Sequence, residues 1–202
     1  IDWSDLDDRK AHFLLRAAIS LKGRPVTLYQ EVHCNKTKEK PATHKAFLKT
    51  LHAMLPSNCR PIIVTDAGYK SPWFRAVRAL GWDIIGRIRK PHFYSLDRGD
   101  TWQCIRYLYT QATCRPKRFD NSQIVRSNPF ACTLVLFKQK SKGRHASNPD
   151  GTRKASKRSK AHAQGAKDPW LLATTLASHR SLSKQVVAIY RQRMQIEEGF
   201  RD

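Results

Sequence analysis

The sequence predicts an α/β fold built around a mixed sheet, and three observations lead to this prediction. Over residues 1–90, extended apolar segments and helical segments follow one another in the order β-β-β-α-β-α-β. The run Ile62-Ile63-Val64 lacks polar alternation, which is typical of a central strand covered on both faces. A final helical segment follows a long β-rich stretch. We therefore expect helices packed on a mixed sheet, with a β-rich segment inserted before the last helix.

Three strands are predicted at the start of the chain. The segment 1–5 alternates apolar and acidic residues, which places Asp2 on the face opposite its two neighbours. The segments 12–21 and 26–32 are rich in apolar and β-branched residues, and a short turn with Gly23 joins them. Turns of this length favour hairpins, so we expect an antiparallel meander.

Two helices and two strands are predicted next. Thr43 is a suitable N-cap for the first helix, and Ser71 followed by a proline is suitable for the second. The strand between them delivers Asp66 at its carboxyl end, which is where sites lie in open α/β sheets. The predicted elements are a helix over 44–54, a strand over 61–68, a helix over 72–80 and a strand over 82–88.

Beyond Arg89 the regular alternation stops. Residues 138–167 contain almost no large apolar side chain and are rich in Lys, Arg, Ser and Gly, so we expect them to be mobile when nothing is bound. A solvated tail and a phosphate-contacting loop both fit this composition. Strand signals lie at 102–109, 123–126, 130–137 and 170–175.

A helix that Ser181 or Ser183 opens is predicted at the end of the chain. Tyr190, Arg193 and Glu197 follow spacings of three and four, so they align on one face, which we expect at the edge of the core. An ordinary amphipathic helix with an Arg193–Glu197 ion pair is the alternative. The expected buried stripe consists of Ile189, Ile196 and Phe200.

The composition restricts the class of protein. The formal charge is +22, from 38 Lys and Arg against 16 Asp and Glu, so DNA or RNA is the expected partner; a membrane surface or a ribosome is the alternative. No apolar run approaches the ~20 residues that span a membrane. The five cysteines are scattered without a CxxC pair, which indicates free thiols in a reducing compartment and no zinc site.

Acidic residues are scarce, and three of them occupy positions where they can converge. Asp2 lies on the first strand, Asp66 follows a later strand, and Glu197 lies on the last helix. Three carboxylates without sulfur or nitrogen ligands suit one or two Mg²⁺ ions, which promote in-line phosphoryl transfer. Taken singly, Asp2 fits a solvated acid and Asp66 fits a turn residue equally well.

The phrases IDWSD, LPSN, VTDAGYKSPWF, LGWDIIGRIR, SKGR, DPWLLATTL and YRQRMQIEEGFRD resemble DDE transposases of the insertion-sequence group often called the IS-four family. The last phrase reproduces the Y-x2-R-x3-E part of that group's Y-R-E-K signature. The resemblance extends along nearly the whole chain. It implies a ribonuclease-H-like core with a mixed five-stranded sheet. The expected divisions are the first part of the core over 1–90, a β-rich insertion over 91–178 with a mobile basic loop (138–167), and a catalytic helix over 179–202.

The resemblance also implies roles for individual residues. Asp2, Asp66 and Glu197 would form the catalytic, metal-binding triad, with Mg²⁺ as the cofactor and Mn²⁺ as a substitute. Tyr190 and Arg193 would hold phosphates beside the scissile bond, so Tyr190 is expected to bind and not to act as a nucleophile.

Three further residues are expected to contact DNA. Trp170 resembles a tryptophan that stacks on a flipped base in relatives, although a core anchor in the inserted strand is an equal alternative. Lys142 and Arg144 belong to the SKGR phrase in the basic run.

The function that the resemblance implies is the catalytic core of a cut-and-paste DNA transposase. Its partners would be double-stranded DNA, in the form of transposon terminal inverted repeats and target DNA, and a second copy of the full-length protein, without membrane contact. We expect a bacterial cytoplasmic protein that associates with the nucleoid when bound to DNA. A ribonuclease-H-like nuclease and a catalytically inactive nucleic-acid-binding fragment are the alternatives. Both chain ends are interpreted as truncated, with the signature lysine beyond Asp202, so the chain alone is expected to be inactive.

Overall fold

The computed structural model describes residues 1–21, 25–139, 152 and 168–193. The strands are β1 (Asp2–Asp5), β2 (His12–Ser20), β3 (Pro25–Cys34), β4 (Ile62–Thr65), β5 (Asp83–Ile88), β6 (Phe93–Ser95), β7 (Gln103–Cys104), β8 (Lys117–Ile124), β9 (Phe130–Phe137) and β10 (Trp170–Thr174). The helices are α1 (Pro41–Met54), α2 (Ser71–Ala79), α3 (Ile105–Tyr109) and α4 (Leu182–Gln192). The predicted order β-β-β-α-β-α-β over the first part of the chain is confirmed.

The first three strands form an antiparallel sheet in the order β1-β2-β3, as the predicted meander requires. A β-bulge interrupts the β2–β3 register between Ala17 and Ala18. The backbone nitrogen of Ile1 donates a hydrogen bond to the carbonyl oxygen of Val64 at 2.9 Å. This bond brings the start of β1 to the end of β4, so the first sheet meets the second at that corner.

The second sheet has seven strands in the order β4-β5-β10-β9-β8-β6-β7. Only β4 and β5 pair in parallel among its described strands, and β10 lies antiparallel between β5 and β9. All five residues of β10 are buried, so this strand fills the free edge of β5. The arrangement differs from the expected five-stranded sheet, because the β-rich segment continues the same sheet instead of standing apart from it.

The position of β4 also differs from the prediction of a central strand. It is the first strand of the seven-stranded sheet, and Ile62 and Val64 are only half-buried. No described strand forms a ladder with its other side, where only the hydrogen bond from Ile1 to Val64 reaches it.

Two predicted helix caps are wrong, although both helices exist. The N-cap of α1 is Lys40, and Thr43 donates its hydroxyl hydrogen to the carbonyl oxygen of Thr37 at 2.8 Å instead. The N-cap of α2 is Lys70, and Ser71 is its first residue. In both helices a proline occupies the first turn, where its missing N–H group leaves no intrahelical hydrogen bond unmade.

The predicted strand over 102–109 is wrong for most of its length. It contains the two-residue strand β7 followed by the helix α3. Ile105 and Leu108 are fully buried, and their spacing of three places both on one side of a helix. A short apolar run fits a strand or a helix equally well by pattern, and here packing selected the helix.

The two faces of the large sheet carry different apolar clusters. Leu171 and Ala173 on β10 belong to the larger cluster, which includes the buried side chains of α1 and α2. Trp170 and Leu172 belong to the smaller cluster beneath α4. Successive residues of a strand point to opposite faces, so β10 contributes to both layers.

The buried face of α4 is rotated from the predicted one. Leu182, Val186, Val187 and Tyr190 are buried, whereas Ile189 is half-buried. Tyr190, which is expected to contact DNA, therefore lies on the face that packs against the sheet. The other two members of the predicted stripe, Ile196 and Phe200, lie outside the described residues.

The five cysteines are all free thiols, as predicted. Among the described residues, no helix is both long enough and apolar enough to cross a membrane.

Gly86 on β5 provides a test of the packing between α2 and the sheet. A Cβ atom at this position would lie 2.5 Å from Cε1 and Cζ of Phe74. We expect Gly86→Ala to lower the free energy of unfolding by about 1–3 kcal/mol, because the added methyl group overpacks the site. Urea denaturation measures this change. Phe74→Leu removes both ring atoms, so the double variant should lose less than the sum of the two single losses. Additive losses would contradict the proposed clash.

Candidate functional site

Asp2 and Asp66 lie at the corner where the two sheets meet. Asp2 is the first residue of β1 and Asp66 directly follows β4, so the bond between Ile1 and Val64 holds their backbones together. Asp2 is 8% exposed. Burial raises the pKa of Asp2 to about 6; the cation of Arg193 opposes this rise and the carboxylate of Asp66 adds to it. Two of the three predicted triad residues thus affect each other electrostatically.

The turn after β4 fixes the carboxylate of Asp66. The backbone nitrogen of Gly68 donates to Oδ1 of Asp66 at 2.8 Å. A Cβ atom on residue 68 would lie 3.2 Å from the same oxygen, so glycine permits this close approach. Asp66 therefore serves as a turn residue and also presents a carboxylate at the corner.

Arg193 makes a buried ion pair with Asp2. Its Nη1 donates to Oδ2 of Asp2 at 2.8 Å, and Arg193 is 7% exposed. The residue immediately follows α4, whose last carbonyl group, on Gln192, accepts a hydrogen bond from the Ser20 hydroxyl at 3.3 Å. The first sheet thereby holds the end of α4 close to Asp2.

Tyr190 and Trp170 pack together under this ion pair. Their ring centroids are 4.9 Å apart with an edge-to-face geometry, and Trp170 also lies 5.8 Å from Phe137. Tyr190 is 2% exposed and Trp170 is 8% exposed. Burial of the Trp170 ring favours the core-anchor interpretation over stacking on a flipped base. Burial raises the pKa of Tyr190, so its phenol is neutral and suited to hydrogen bonding.

Arg87 is a site residue that the sequence analysis missed. It lies on β5, is 9% exposed and donates from Nη2 to the carbonyl oxygen of Asp168 at 3.3 Å. Burial lowers the pKa of Arg87, and the neighbouring Tyr190 opposes that shift. An arginine that follows the apolar run Ile84-Ile85-Gly86 within a strand is the signal that could have identified it, because buried guanidinium groups need partners.

An aromatic cluster lies beneath the two carboxylates. The indole nitrogen of Trp3 donates to Nε2 of His44 at 3.1 Å, and the His44 ring stacks on Tyr69 with centroids 5.3 Å apart. Tyr69 in turn packs against Trp73 at 4.6 Å. Burial, together with Asp2 and Asp66, raises the pKa of Tyr69 well above its ordinary value. The cluster thus forms an aromatic wall that removes water from the carboxylate of Asp2, whereas Asp66 is only half-buried.

Three predicted site residues, Glu197, Lys142 and Arg144, lie outside the described residues. So does the basic run 138–167, apart from residues 138, 139 and 152. Within the part of the chain that the structure describes, no group of three or more His, Cys, Asp or Glu side chains is arranged to hold a metal ion. The described site therefore contains two acids, Arg193, Tyr190 and Arg87.

A comparison with known families decides the broader identity. The family model described as "Transposase DDE domain" matches residues 7–202. The chain belongs to this family. The matched region contains Asp66 and begins after Asp2. No curated protein matches the chain. Family membership connects this transposase domain with DNA transposition and identifies DNA as its partner, in agreement with the charge of +22.

The buried histidine beneath the site predicts a pH-dependent stability. Burial, and secondarily His33, lowers the pKa of His44 to about 4. The unfolded chain takes up this proton near pH 6.5, whereas the folded protein takes it up only near pH 4. The free energy of unfolding is therefore highest above pH 6.5 and decreases as the pH falls towards 4. In wild type we expect the free energy of unfolding to fall by on the order of 2 kcal/mol between pH 6.5 and 4 because of His44, and we expect this fall to be absent in His44→Gln.

Denaturant titrations at several pH values measure the free energy of unfolding of variant and wild type. The contributions of other titrating groups cancel in the difference between the two. His52→Gln is the matched control, because His52 lies exposed on the same helix. A His44→Gln variant with the pH dependence of the wild type would show that His44 does not titrate abnormally.

Proposed function

We propose that this chain is the catalytic core of a cut-and-paste DNA transposase, which cleaves transposon ends and joins them to target DNA by strand transfer. Within the DDE family it would belong to the insertion-sequence group with the Y-R-E-K signature, most like the transposase of the tetracycline-resistance composite transposon. The observation that carries the proposal is the meeting of Asp2 and Asp66 at one sheet corner, with Arg193 and Tyr190 beside them.

The donor set at this corner fits a hard divalent cation. Asp2 is desolvated and lies within the field of a second carboxylate, and a cation that binds both relieves their repulsion. Asp2, Asp66 and Glu197 would hold Mg²⁺, or Mn²⁺ in its place. The ion would supply charge stabilisation for phosphoryl transfer and a more acidic attacking hydroxyl group.

The chain's own residues would act mainly through positioning and electrostatics. Arg193 would bind a DNA phosphate beside the scissile bond, and Tyr190 would support that guanidinium, whose carbon lies 5.7 Å from the tyrosine ring. Arg87 would add a second positive charge behind Tyr190. The aromatic wall around Tyr69 would exclude water and strengthen these interactions. No covalent protein–DNA intermediate is required.

We further propose a ribonuclease-H-like core. The bond from Ile1 to Val64 places β1 beside β4, which supports a continuous order β3-β2-β1-β4-β5. In this proposal residues 1–90 form the first part of the core, 91–178 the insertion and 179–202 the catalytic helix. The full-length protein would act as a homodimer that bridges two transposon ends.

The decisive test is strand transfer by the full-length protein, with pre-cut ends taken from the inverted repeats that flank the reading frame and a plasmid target in Mg²⁺ or Mn²⁺. We expect Asp66→Asn to reduce joining by at least about 10²–10³-fold, because a charge needed in the transition state is removed. DNA affinity should stay within about twofold, since this acid makes no favourable phosphate contact. Asp8→Asn, which changes an exposed acid in the turn after β1, is the control. Full activity of Asp66→Asn would exclude the proposed triad.

The basic run offers a separate test of DNA contact. We expect the double variant Lys142→Ala/Arg144→Ala to bind duplex DNA more weakly. The slope of log affinity against log salt should become shallower by about 0.9 for each phosphate that these side chains neutralise in the wild type, because fewer counterions are released. Fluorescence anisotropy at several salt concentrations measures the slope. Lys45→Ala/Lys49→Ala, which removes the same charge from the exposed face of α1, is the control. Equal slopes for wild type and the first variant would indicate a solvated tail.

A further inference from the structure

Both carboxylate oxygens of Asp2 are engaged by the protein itself. Oδ1 accepts a hydrogen bond from the backbone nitrogen of Trp3 at 3.0 Å, and Oδ2 accepts one from Nη1 of Arg193 at 2.8 Å. Arg193 and Asp2 are 7% and 8% exposed. A divalent cation that bound Asp2 would therefore meet the guanidinium charge at the same carboxylate.

The two cations compete for one carboxylate. Like charges a few ångströms apart repel strongly where water is excluded, so a metal ion and Arg193 cannot both bind Oδ2 at low cost. A guanidinium that leaves a buried acid must find another anion, because an unpaired buried charge costs several kcal/mol. A DNA phosphate is such an anion, and its oxygens match the planar fork of arginine.

Arg193 is the partner that can change position. Asp2 is held in β1, where it pairs with Arg16 of β2 in the antiparallel register. Arg193 follows the last residue of α4, and its long side chain lies over the ring of Tyr190. Because a side chain and not a sheet strand carries the guanidinium, a change of rotamer would move it away from Asp2.

We propose that Arg193 is a positioning residue that couples DNA binding to metal binding at Asp2. Without DNA, Arg193 neutralises Asp2 and covers Oδ2. A DNA phosphate draws the guanidinium away, and the freed oxygen becomes a ligand for the divalent ion. This inference rests on the proposed function, since it takes Asp2 as a metal ligand. By thermodynamic linkage, DNA and metal then raise each other's affinity by the same factor.

The test measures the affinity for a fluorescein-labelled duplex of mixed sequence with and without Mn²⁺, and denaturing gels confirm that the duplex stays intact. For wild type we expect Mn²⁺ to tighten DNA binding by about fivefold or more, within the usual range of allosteric coupling. For Arg193→Gln the same ratio should fall below about twofold. Mn²⁺ binding without DNA, followed by electron paramagnetic resonance, should be tighter than in wild type because the competing cation is gone.

Two variants separate this role from a structural one. Arg191→Gln removes the same charge from an exposed neighbour on α4 that lies over Phe137, and it should retain the wild-type ratio. Arg193→Lys keeps the charge without the fork and should restore part of the coupling. A wild-type ratio in Arg193→Gln, with unchanged Mn²⁺ affinity in the absence of DNA, would overturn the inference.

A structural measurement on the wild type covers the case in which Arg193→Gln fails to fold. In crystals with Mn²⁺ and DNA, Arg193 should contact a phosphate and no longer Oδ2 of Asp2; a metal on Asp2 with the 2.8 Å ion pair intact would refute the coupling. Asp2→Asn and Asp66→Asn distinguish failure of the proposed function from failure of this inference alone. If neither weakens Mn²⁺ binding, the proposed function and the inference both fail. If both weaken it and Arg193→Gln behaves as wild type, only the inference fails.

Discussion

The approach of β1 to the end of β4 is the constraint on which the candidate site depends. One hydrogen bond from the backbone nitrogen of Ile1 to the carbonyl oxygen of Val64 links the two sheets, which also share the larger apolar cluster. The acids that follow in each segment, Asp2 and Asp66, are carried to the same corner by this contact. Their mutual repulsion and the loss of water around Asp2 would oppose folding if no cation were near. The site is thus held together by backbone pairing against an electrostatic cost.

Arg193, at the other end of the described chain, offsets the electrostatic cost of burying Asp2. Arg193 reaches Asp2 because β10 pairs with β5, which places α4 against the smaller apolar cluster and directs its end towards the first sheet. A buried ion pair contributes little net stability, because desolvation of both groups cancels most of the attraction. Under the proposed function, the ion pair would keep Asp2 charged until a divalent ion displaces the arginine.

The same arrangement connects the β-rich segment to the candidate site. Its last strand, β10, is the only described strand that borders both β5 and β9, and its side chains enter both apolar layers. Trp170, at the start of β10, packs against the ring of Tyr190. A disturbance of the insertion would therefore reach Arg193 through packed side chains. In the chain, the basic run lies between β9 and β10.

Sequence alone determined the elements whose pattern is local. The first meander, the helices at 41–54 and 71–79, the strand that delivers Asp66 and the last helix follow from alternation, helical spacing and breaking residues, and all of them are present. The resemblance of several phrases to DDE transposases also came from the sequence, and the match over 7–202 confirms the DDE transposase family but not the insertion-sequence group. The three site acids and the DNA-binding residues stay predictions at the level of individual roles.

Only the tertiary structure decided which partners those elements acquired. The pairing of β10 with β5, the burial of Tyr190 instead of Ile189 and the helix over 105–109 depend on contacts between segments far apart in the chain, which periodicity does not encode. The ion pair between Arg193 and Asp2 joins residues at opposite ends of the described chain. Local pattern specifies which side of an element is apolar, but the free energy of burying that side depends on the complete sheet that receives it.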